Sequence, residues 1–107
     1  MEIRTYRATS GHNPFQAWSR GLDDNVRARV FRAVDRLKQS NFSGVKPVGG
    51  GVHEFRIDFE PGYRIYFANS SSDIVLLLTG GDKRRQQRNI NAAIAYWDDH
   101  RCRNRVS

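Results

Sequence analysis

The chain has 107 residues and a formal net charge of +7 at pH 7, with 18 Lys and Arg side chains against 11 Asp and Glu. Its 15 arginines and 3 lysines favour the planar, always charged guanidinium that suits phosphate, so nucleic acid is the expected partner. We find no membrane-length apolar run, no signal peptide and no motif for a metal, nucleotide or other cofactor. These features and a single cysteine predict one cytoplasmic domain over residues 1–107, with no cofactor, metal or membrane contact.

The start of the chain predicts a short strand followed by a short helix. Residues 2–7 alternate in character, which favours a strand near a sheet edge. Asn13 followed by Pro14 is typical of a helix cap and first turn, and the helix that follows should bury Phe15 and Trp18. We assign no chemistry to these two elements.

A longer helix is predicted from Asp23 or Asp24 to about Gln39. Apolar residues recur on one side of it at helical spacing: Val26, Val30, Phe31, Ala33, Val34 and Leu37. Three arginines follow one another on the outside at i, i+3 and i+7: Arg29, Arg32 and Arg36. This basic stripe has two interpretations, a solvated helix face or a contact surface for RNA or an acidic protein segment, and the sequence leaves both open.

Residues 41–51 are predicted to be irregular because they contain four glycines and Pro47. The run Gly49–Gly51 comes directly before a strand. Together with Lys46, it could let the backbone approach RNA closely, or it could be a simple flexible turn.

Residues 52–59 and 63–68 predict a β-hairpin around the turn Glu60-Pro61-Gly62. The expected cross-strand pairs on its core face are Phe59 with Tyr63, Ile57 with Ile65, and Phe55 with Phe67. The opposite face should then be polar and open, and its side chains are Glu54, Arg56, Asp58, Arg64 and Tyr66.

The last strand and the last helix meet at a run of cations. Residues 74–78 are apolar at every position, which is typical of a strand covered on both sides. Asp82 can cap a helix from Lys83 to about His100, but the positions after this cap are all basic. Cations there oppose the helix dipole at about 0.3–1 kcal/mol each, so we interpret them as ligands for an RNA phosphate. Residues from about 101 onwards predict a mobile tail.

Three stretches occur in order along the chain: V-G-G-G-V-H-E-F-R-I, P-G-Y-R-I-Y-F and L-L-L-T-G-G-D-K-R-R-Q-Q-R-N-I. They closely resemble the RelE/ParE toxin superfamily, specifically its HigB-like branch of addiction module killer proteins. The resemblance is strongest over residues 46–94. It implies a bacterial type II toxin, usually a ribosome-dependent endoribonuclease that cuts messenger RNA and is held inactive by an antitoxin. One departure is Asn89, where members often carry Asp, so no acid role is carried over to that position.

The expected fold is an α+β domain with the element order β-α-α-β-β-β-α, similar to RelE/ParE toxins. A small, largely antiparallel four-stranded sheet would carry its helices on one face. The open polar face and the start of the last helix would then form the site.

Cleavage of RNA without a metal requires deprotonation of the 2′-hydroxyl, stabilisation of the phosphorane and protonation of the leaving 5′-oxygen. The catalytic candidates are Arg56 and Arg64, as phosphate clamps, and Lys83, as the group that exchanges a proton because neighbouring cations favour its neutral form. Glu54 or Asp58 is the second choice of base. The RNA-binding candidates are Lys46, Tyr66, Arg84, Arg85 and Arg88.

The resemblance also implies the partners: a cognate antitoxin, expected to be a small helix-turn-helix protein, together with the ribosome and messenger RNA. Operator DNA would be bound only through the antitoxin complex. Two other functions stay open, a ParE-type DNA gyrase poison and a basic nucleic-acid-binding module without catalytic activity. Arg56 and Arg64 on neighbouring strands beside Lys83 favour the nuclease.

Overall fold

A computed structural model describes residues 1–105 of the chain. The strands are β1 (Glu2–Thr5), β2 (Val45–Gly49), β3 (Val52–Ile57), β4 (Tyr63–Ser71) and β5 (Ile74–Asp82). The helices are α1 (Pro14–Arg20), α2 (Asp24–Lys38) and α3 (Gln86–Arg105), and a 3-10 helix at Lys83–Arg85 leads into α3. The prediction of an α+β fold is confirmed.

The five strands form one mixed sheet in the order β1-β5-β4-β3-β2. β1 pairs with β5 in parallel, and the other neighbours are antiparallel. The sheet is mixed, with three antiparallel pairs and one parallel pair, and it has five strands where four were predicted, because β2 was not predicted. β2 was missed because Pro47 and the nearby glycines favour irregular structure. A proline is nevertheless tolerated on an edge strand, where its missing N–H removes no ladder hydrogen bond.

Helices cover both faces of the sheet, so the expectation of helices on one face is wrong. On one face, Phe15 of α1 and Val30 of α2 pack against strand residues that include Ile65. On the other face, Ala93 and Trp97 of α3 pack over a second apolar cluster: Val52, Tyr66, Ala68, Leu76 and Leu78. Both faces are covered because the apolar side chains of β5 point alternately to the two faces and are buried on each of them.

The β3–β4 hairpin has the predicted faces but a different register. Ile57 pairs with Tyr63 and Phe55 with Ile65, two residues away from the expected partners. A shift of two residues preserves the side-chain faces, because the side-chain period in a strand is two. The connecting loop consequently spans residues 58–62, and Phe59 lies in this loop, where its ring stacks on Tyr63.

The β2–β3 turn packs against α3. Gly50 and Gly51 have φ angles of 62° and 85°, which glycine adopts readily. A Cβ on Gly50 would lie 3.0 Å from Ile94 Cγ2, and one on Gly51 would lie 2.8 Å from Trp97 Nε1. The glycines therefore allow a close approach by a helix of the same chain, which is neither of the two alternatives considered for them, RNA contact or a simple flexible turn.

Phe31 was predicted to be part of the buried stripe of α2, but it is 48 % exposed. Val30 and Leu37 are fully buried on the same helix. Successive helical residues are rotated by roughly 100°, which turns Phe31 away from the face that Val30 presents to the sheet. This prediction is wrong.

α3 continues beyond the predicted end at His100 as far as Arg105. Arg103 holds the end of α3 against the segment after β1. Its Nη2 donates to the carbonyl oxygen of Arg7 at 2.6 Å and lies 3.0 Å from a carboxylate oxygen of Asp99. The tail expected from about 101 is thus helical up to Arg105, and residues 106–107 lie outside the described part. No helix within residues 1–105, α3 included, is long and apolar enough to cross a membrane.

Candidate functional site

A cluster of polar side chains is buried between the sheet and the start of α3. Glu54 is 1 % exposed, Arg64 6 % and Tyr66 0 %. The three residues share one face because Glu54 and Tyr66 are direct partners in the β3–β4 ladder and Arg64 precedes Tyr66 by two positions. Burial of polar and charged groups costs free energy unless they are paired, so the hydrogen bonds and ion pairs of these three residues are described first.

Glu54 is the centre of this cluster. The Tyr66 hydroxyl and the Gln86 side-chain amide each donate a hydrogen bond of 2.9 Å to Glu54 Oε2. Lys46 Nζ lies 3.6 Å from Oε1, and Arg64 Nε lies 3.6 Å from Oε2. Glu54 therefore links β2, β3, β4 and the first residue of α3. Gln86 was missed by the sequence analysis, because its contact depends on how α3 docks on the sheet.

Arg64 has one donor without a partner. Its Nη1 donates to the carbonyl oxygen of Gly62 at 3.0 Å, but its buried Nε makes no hydrogen bond with any group in residues 1–105. The distance of 3.6 Å to Glu54 is too long for a hydrogen bond. A buried donor left unpaired costs about 1–3 kcal/mol. Such a defect is typical of a site where a ligand or a moving group completes the geometry.

Lys83, the first of the cations that precede α3, lies close to Arg64. A Cβ added to Gly62 would lie 3.5 Å from Arg64 Nη1 and 3.6 Å from Lys83 Cβ, so both side chains lie close to this loop glycine. Asp82 caps the turn as predicted, accepting from the backbone N–H of Arg84 at 3.0 Å. Lys83, Arg84, Arg85 and Arg88 are all exposed. Among residues 1–105, only Arg84 of these four forms an ion pair, with Asp82 at 3.9 Å. The surface around Arg64 is therefore strongly positive and suits an anion.

The structure separates the predicted site residues into two places. Lys46, Arg64 and Tyr66 lie against Glu54, and Lys83 lies close to Arg64 at the Gly62 loop. Tyr66, however, is buried under α3, and the open polar face on which we placed it does not exist. Arg56 is the direct partner of Arg64 in the ladder and shares its face of the sheet, whereas Asp58 lines a groove beside α2, which Arg56 also borders.

Two histidines and Asn89 lie outside the Glu54 cluster. His53 is half-buried and stacks on Phe67 with ring centroids 5.5 Å apart, whereas His12 is exposed. Asn89 lies against Gly81, where a Cβ would overlap its side-chain amide. Within residues 1–105, no three His, Cys, Asp or Glu side chains lie close enough together to hold a metal ion.

Two tyrosines have pKa values above the ordinary value of 10. Burial, and then the hydrogen bond to Glu54, raises the pKa of the Tyr66 phenol, so that Tyr66 remains a donor to the carboxylate at neutral pH. Burial also raises the pKa of Tyr6 to about 12, with a second contribution from its 2.6 Å hydrogen bond to Asp99.

We expect the free energy of unfolding to fall as pH rises above 10. Because the pKa of Tyr6 is higher in the folded than in the unfolded chain, its contribution to stability is complete below pH 10 and is lost as pH rises through about 12. Denaturant melts over this pH range should show a shallower decline for Tyr6→Phe than for the wild type. Spectrophotometric titration should show tyrosines that ionise late, and a single step near pH 10 for all tyrosines would contradict this.

Two comparisons with known proteins cover most of the chain. A family model described as "Phage derived protein Gp49-like (DUF891)" matches residues 17–95. A protein of Haemophilus influenzae that carries the description "Uncharacterized protein" is 38 % identical over 80 residues, which are 74 % of this chain and 81 % of that protein. The range matched by the family model contains Glu54, Arg64, Tyr66 and Gln86, and therefore the centre of the cluster.

Proposed function

Because this chain belongs to the Gp49-like family of phage-derived proteins, a toxin-like family of the RelE type, we propose that it is the toxin of a type II toxin–antitoxin system. We further propose that it is a ribosome-dependent endoribonuclease that cleaves messenger RNA, and that it is closest to the HigB-like branch, whose motifs its sequence resembles. The observation that carries the proposal is the buried Glu54–Arg64 pair, with an unpartnered Arg64 donor, beside a row of exposed cations.

The proposed chemistry is attack of a 2′-hydroxyl on the adjacent phosphate, which forms a 2′,3′-cyclic phosphate and breaks the bond to the 5′-oxygen. Lys83 would give the departing 5′-oxygen its proton. Arg64 and Lys83 would stabilise the negative charge of the phosphorane, because both lie at the Gly62 loop on the positive side of the cluster. Of the two carboxylates considered as the base, Glu54 lies in the cluster and Asp58 does not, so Glu54 is the better candidate to accept the 2′-proton. Arg56, the ladder partner of Arg64 on β3, would bind a neighbouring phosphate of the RNA.

Access to Glu54 requires a local rearrangement. The Gln86 amide and the Lys46 ammonium lie against the two carboxylate oxygens, and the side chain is 2 % exposed. A substrate hydroxyl that reached Oε2 would have to replace the Gln86 donor. Displacement of Gln86 would cost one hydrogen bond of about 1.5–3 kcal/mol, because the acceptor is charged, and the new hydrogen bond would offset this cost.

The decisive experiment is an in vitro translation reaction with a defined message. Cleavage at the ribosomal A site that requires both ribosome and protein supports the proposal. Binding to the ribosome without cleavage would indicate a catalytically inactive binding module, and DNA cleavage complexes with gyrase would indicate a ParE-type poison. The proposed partners are a cognate antitoxin of the helix-turn-helix class, the ribosome and messenger RNA, and operator DNA would be bound only through the antitoxin.

Arg85→Glu should separate stability from RNA binding. Arg85 is exposed and has no carboxylate partner within residues 1–105, and it directly precedes α3, so reversal of its charge should stabilise the fold by about 0.3–1 kcal/mol. Loss of one phosphate contact should make the slope of log affinity against log salt shallower by about 0.7 for single-stranded RNA.

The matched control for Arg85→Glu is Gln87→Glu, which adds a negative charge to the same turn without removal of a cation. It should give the same sign of stability change and a smaller effect on the salt slope. A lower melting temperature for Arg85→Glu with unchanged RNA affinity would show that the cations serve the fold.

A further inference from the structure

The first turn of α3 places a side-chain amide beside Arg64. Gly81 of β5 is the direct partner of Arg64 in the β4–β5 ladder, so side chains at these two positions would share the α3 face of the sheet. Gly81 has no side chain, and Asn89 of α3 fills this space, since a Cβ added to Gly81 would overlap the Asn89 amide. The Cβ atoms of direct partners lie about 4.5–5.5 Å apart, which puts the Asn89 amide at roughly that distance from the Cβ of Arg64.

Asn89 and Glu54 lie on opposite sides of Arg64. Glu54 belongs to β3, Gly81 beneath Asn89 belongs to β5, and β4 with Arg64 runs between these two strands. Neighbouring strands are about 4.8 Å apart, so Asn89 lies roughly 10 Å across the sheet from Glu54. When Arg64 holds the phosphate that is attacked and Glu54 accepts from the 2′-hydroxyl, Asn89 is therefore left for another part of the RNA.

The amide of Asn89 has no partner in the described part of the chain. The amides of Gln86 and Gln87, in the same turn, donate to Glu54 and Asn91. The Asn89 side chain forms no hydrogen bond within residues 1–105, although it is half-buried. Polar groups that are withdrawn from water are usually hydrogen-bonded, so a half-buried free amide is typical of a place where a ligand binds.

The unpaired donor of Arg64 is an independent sign of a ligand at the same place. Arg64 is 6 % exposed, and its Nε has no hydrogen-bond partner among residues 1–105. Arg56 is its ladder partner on β3, so Arg56, Arg64 and Asn89 form one row across β3, β4 and β5. Two side chains of this row are guanidinium groups, which suit phosphates, and the third is a neutral amide.

Starting from the proposed nuclease function, on which this inference rests, we propose that Asn89 is a specificity-determining residue. Its amide forms hydrogen bonds with the edge of a nucleobase of single-stranded RNA, next to the phosphate at Arg64. Phosphate contacts position a nucleic acid but carry no sequence information, whereas an amide offers two donors and one acceptor that distinguish one base edge from another. Single-stranded RNA exposes these edges to a protein. The alternative is a structural role, in which Asn89 only fills the space above Gly81.

The test is the affinity of the purified protein for three labelled homopolymers: oligoadenylate, oligocytidylate and oligouridylate. The wild type should bind the best of the three about 5- to 150-fold more tightly than the weakest, the discrimination that one amide–base contact provides. Asn89→Leu fills the same space without a hydrogen-bonding group, and the ratio of affinities should fall by about fivefold or more. Asn91→Leu makes the same change at an exposed position of α3 and should keep the ratio within about twofold.

Asn89→Asp keeps the shape of the side chain but leaves it able only to accept hydrogen bonds. It also places a carboxylate in the first turn of α3 beside Arg64, so its melting temperature should be no lower than that of the wild type. Its affinity should fall most for oligouridylate, because uracil presents two carbonyl oxygens and no amino group to a carboxylate. This variant decides the matter if Asn89→Leu lacks a cooperative thermal melt.

An unchanged ratio in a folded Asn89→Leu variant would show that Asn89 only fills space. Equal affinity of the wild type for the three homopolymers, or an equal loss for all three in Asn89→Asp, would also overturn the proposal. The nuclease function fails on a separate observation, the absence of message cleavage by the wild type during translation, and the affinity ratios do not involve cleavage.

Discussion

Replacement of Arg64 with lysine should lower message cleavage by about 100-fold or more and abolish growth arrest. Lysine keeps the positive charge, but it cannot place a donor at the Nε position or retain the hydrogen bond that Nη1 gives to Gly62. Removal of one preorganised donor from a developing oxyanion costs about 100- to 1,000-fold in rate. Lysine is preferred to alanine because Arg64 is buried, and complete truncation would leave Glu54 with only the exposed Lys46 as a cation.

The measurement is cleavage of a defined message during translation, together with growth after induction. Arg20→Lys makes the same chemical change at an exposed position at the end of α1 and should keep full activity. A cooperative thermal melt of Arg64→Lys is required before the loss is assigned to chemistry. Full growth arrest by a folded Arg64→Lys variant would remove Arg64 from the mechanism.

Gly80→Ala should destabilise the fold by about 3 kcal/mol, the upper part of the range for overpacking. A Cβ on Gly80 would overlap the six-membered ring of Trp18, a residue of α1 that packs against the core. An indole cannot move aside as a flexible side chain can. For a domain of this length, the melting temperature should fall by roughly 10–20 °C.

Gly21→Ala is the matched control for Gly80→Ala. Its Cβ would make an ordinary contact of 3.6 Å with the carbonyl oxygen of Trp18, so the stability should change by less than about 0.5 kcal/mol. The combination of Gly80→Ala with Trp18→Leu should recover part of the loss, since the smaller side chain makes room. A melting temperature of Gly80→Ala within a few degrees of the wild type would show that α1 is free to shift.

Local patterns predicted the local features of the fold correctly. Asn13 caps α1 by accepting from the N–H of Gln16 at 3.1 Å, and Asp82 caps the turn before α3. The two faces of the β3–β4 hairpin also follow from alternation alone, because a shift of two residues in the register leaves them unchanged. These features could be predicted because helix capping and the alternation of side chains along a strand depend only on residues that are close in sequence.

The candidate site could be predicted only in part. The cations before α3 oppose its dipole and are exposed, and their role as ligands for an RNA phosphate stays a prediction. The burial of Glu54 and Tyr66 could not be derived in the same way, because it depends on which face of the sheet α3 covers. The apolar run of β5 indicated that both faces of the sheet are covered by other elements. The polar residues of β3 and β4 suggested instead that one face is open to solvent.

The parallel pair at the edge of the sheet has a consequence for the order of folding. β2, β3, β4 and β5 are joined by short turns and can pair as each emerges during synthesis. β1 pairs in register with β5, Glu2 with Ile74 and Thr5 with Leu77, so its hydrogen bonds close a loop of about 70 residues. Closure of long loops is entropically unfavourable, and contacts distant in sequence form slowly. β1 is therefore the first strand to be synthesised and the last that can pair. Its backbone groups have no strand partner until β5 has been synthesised.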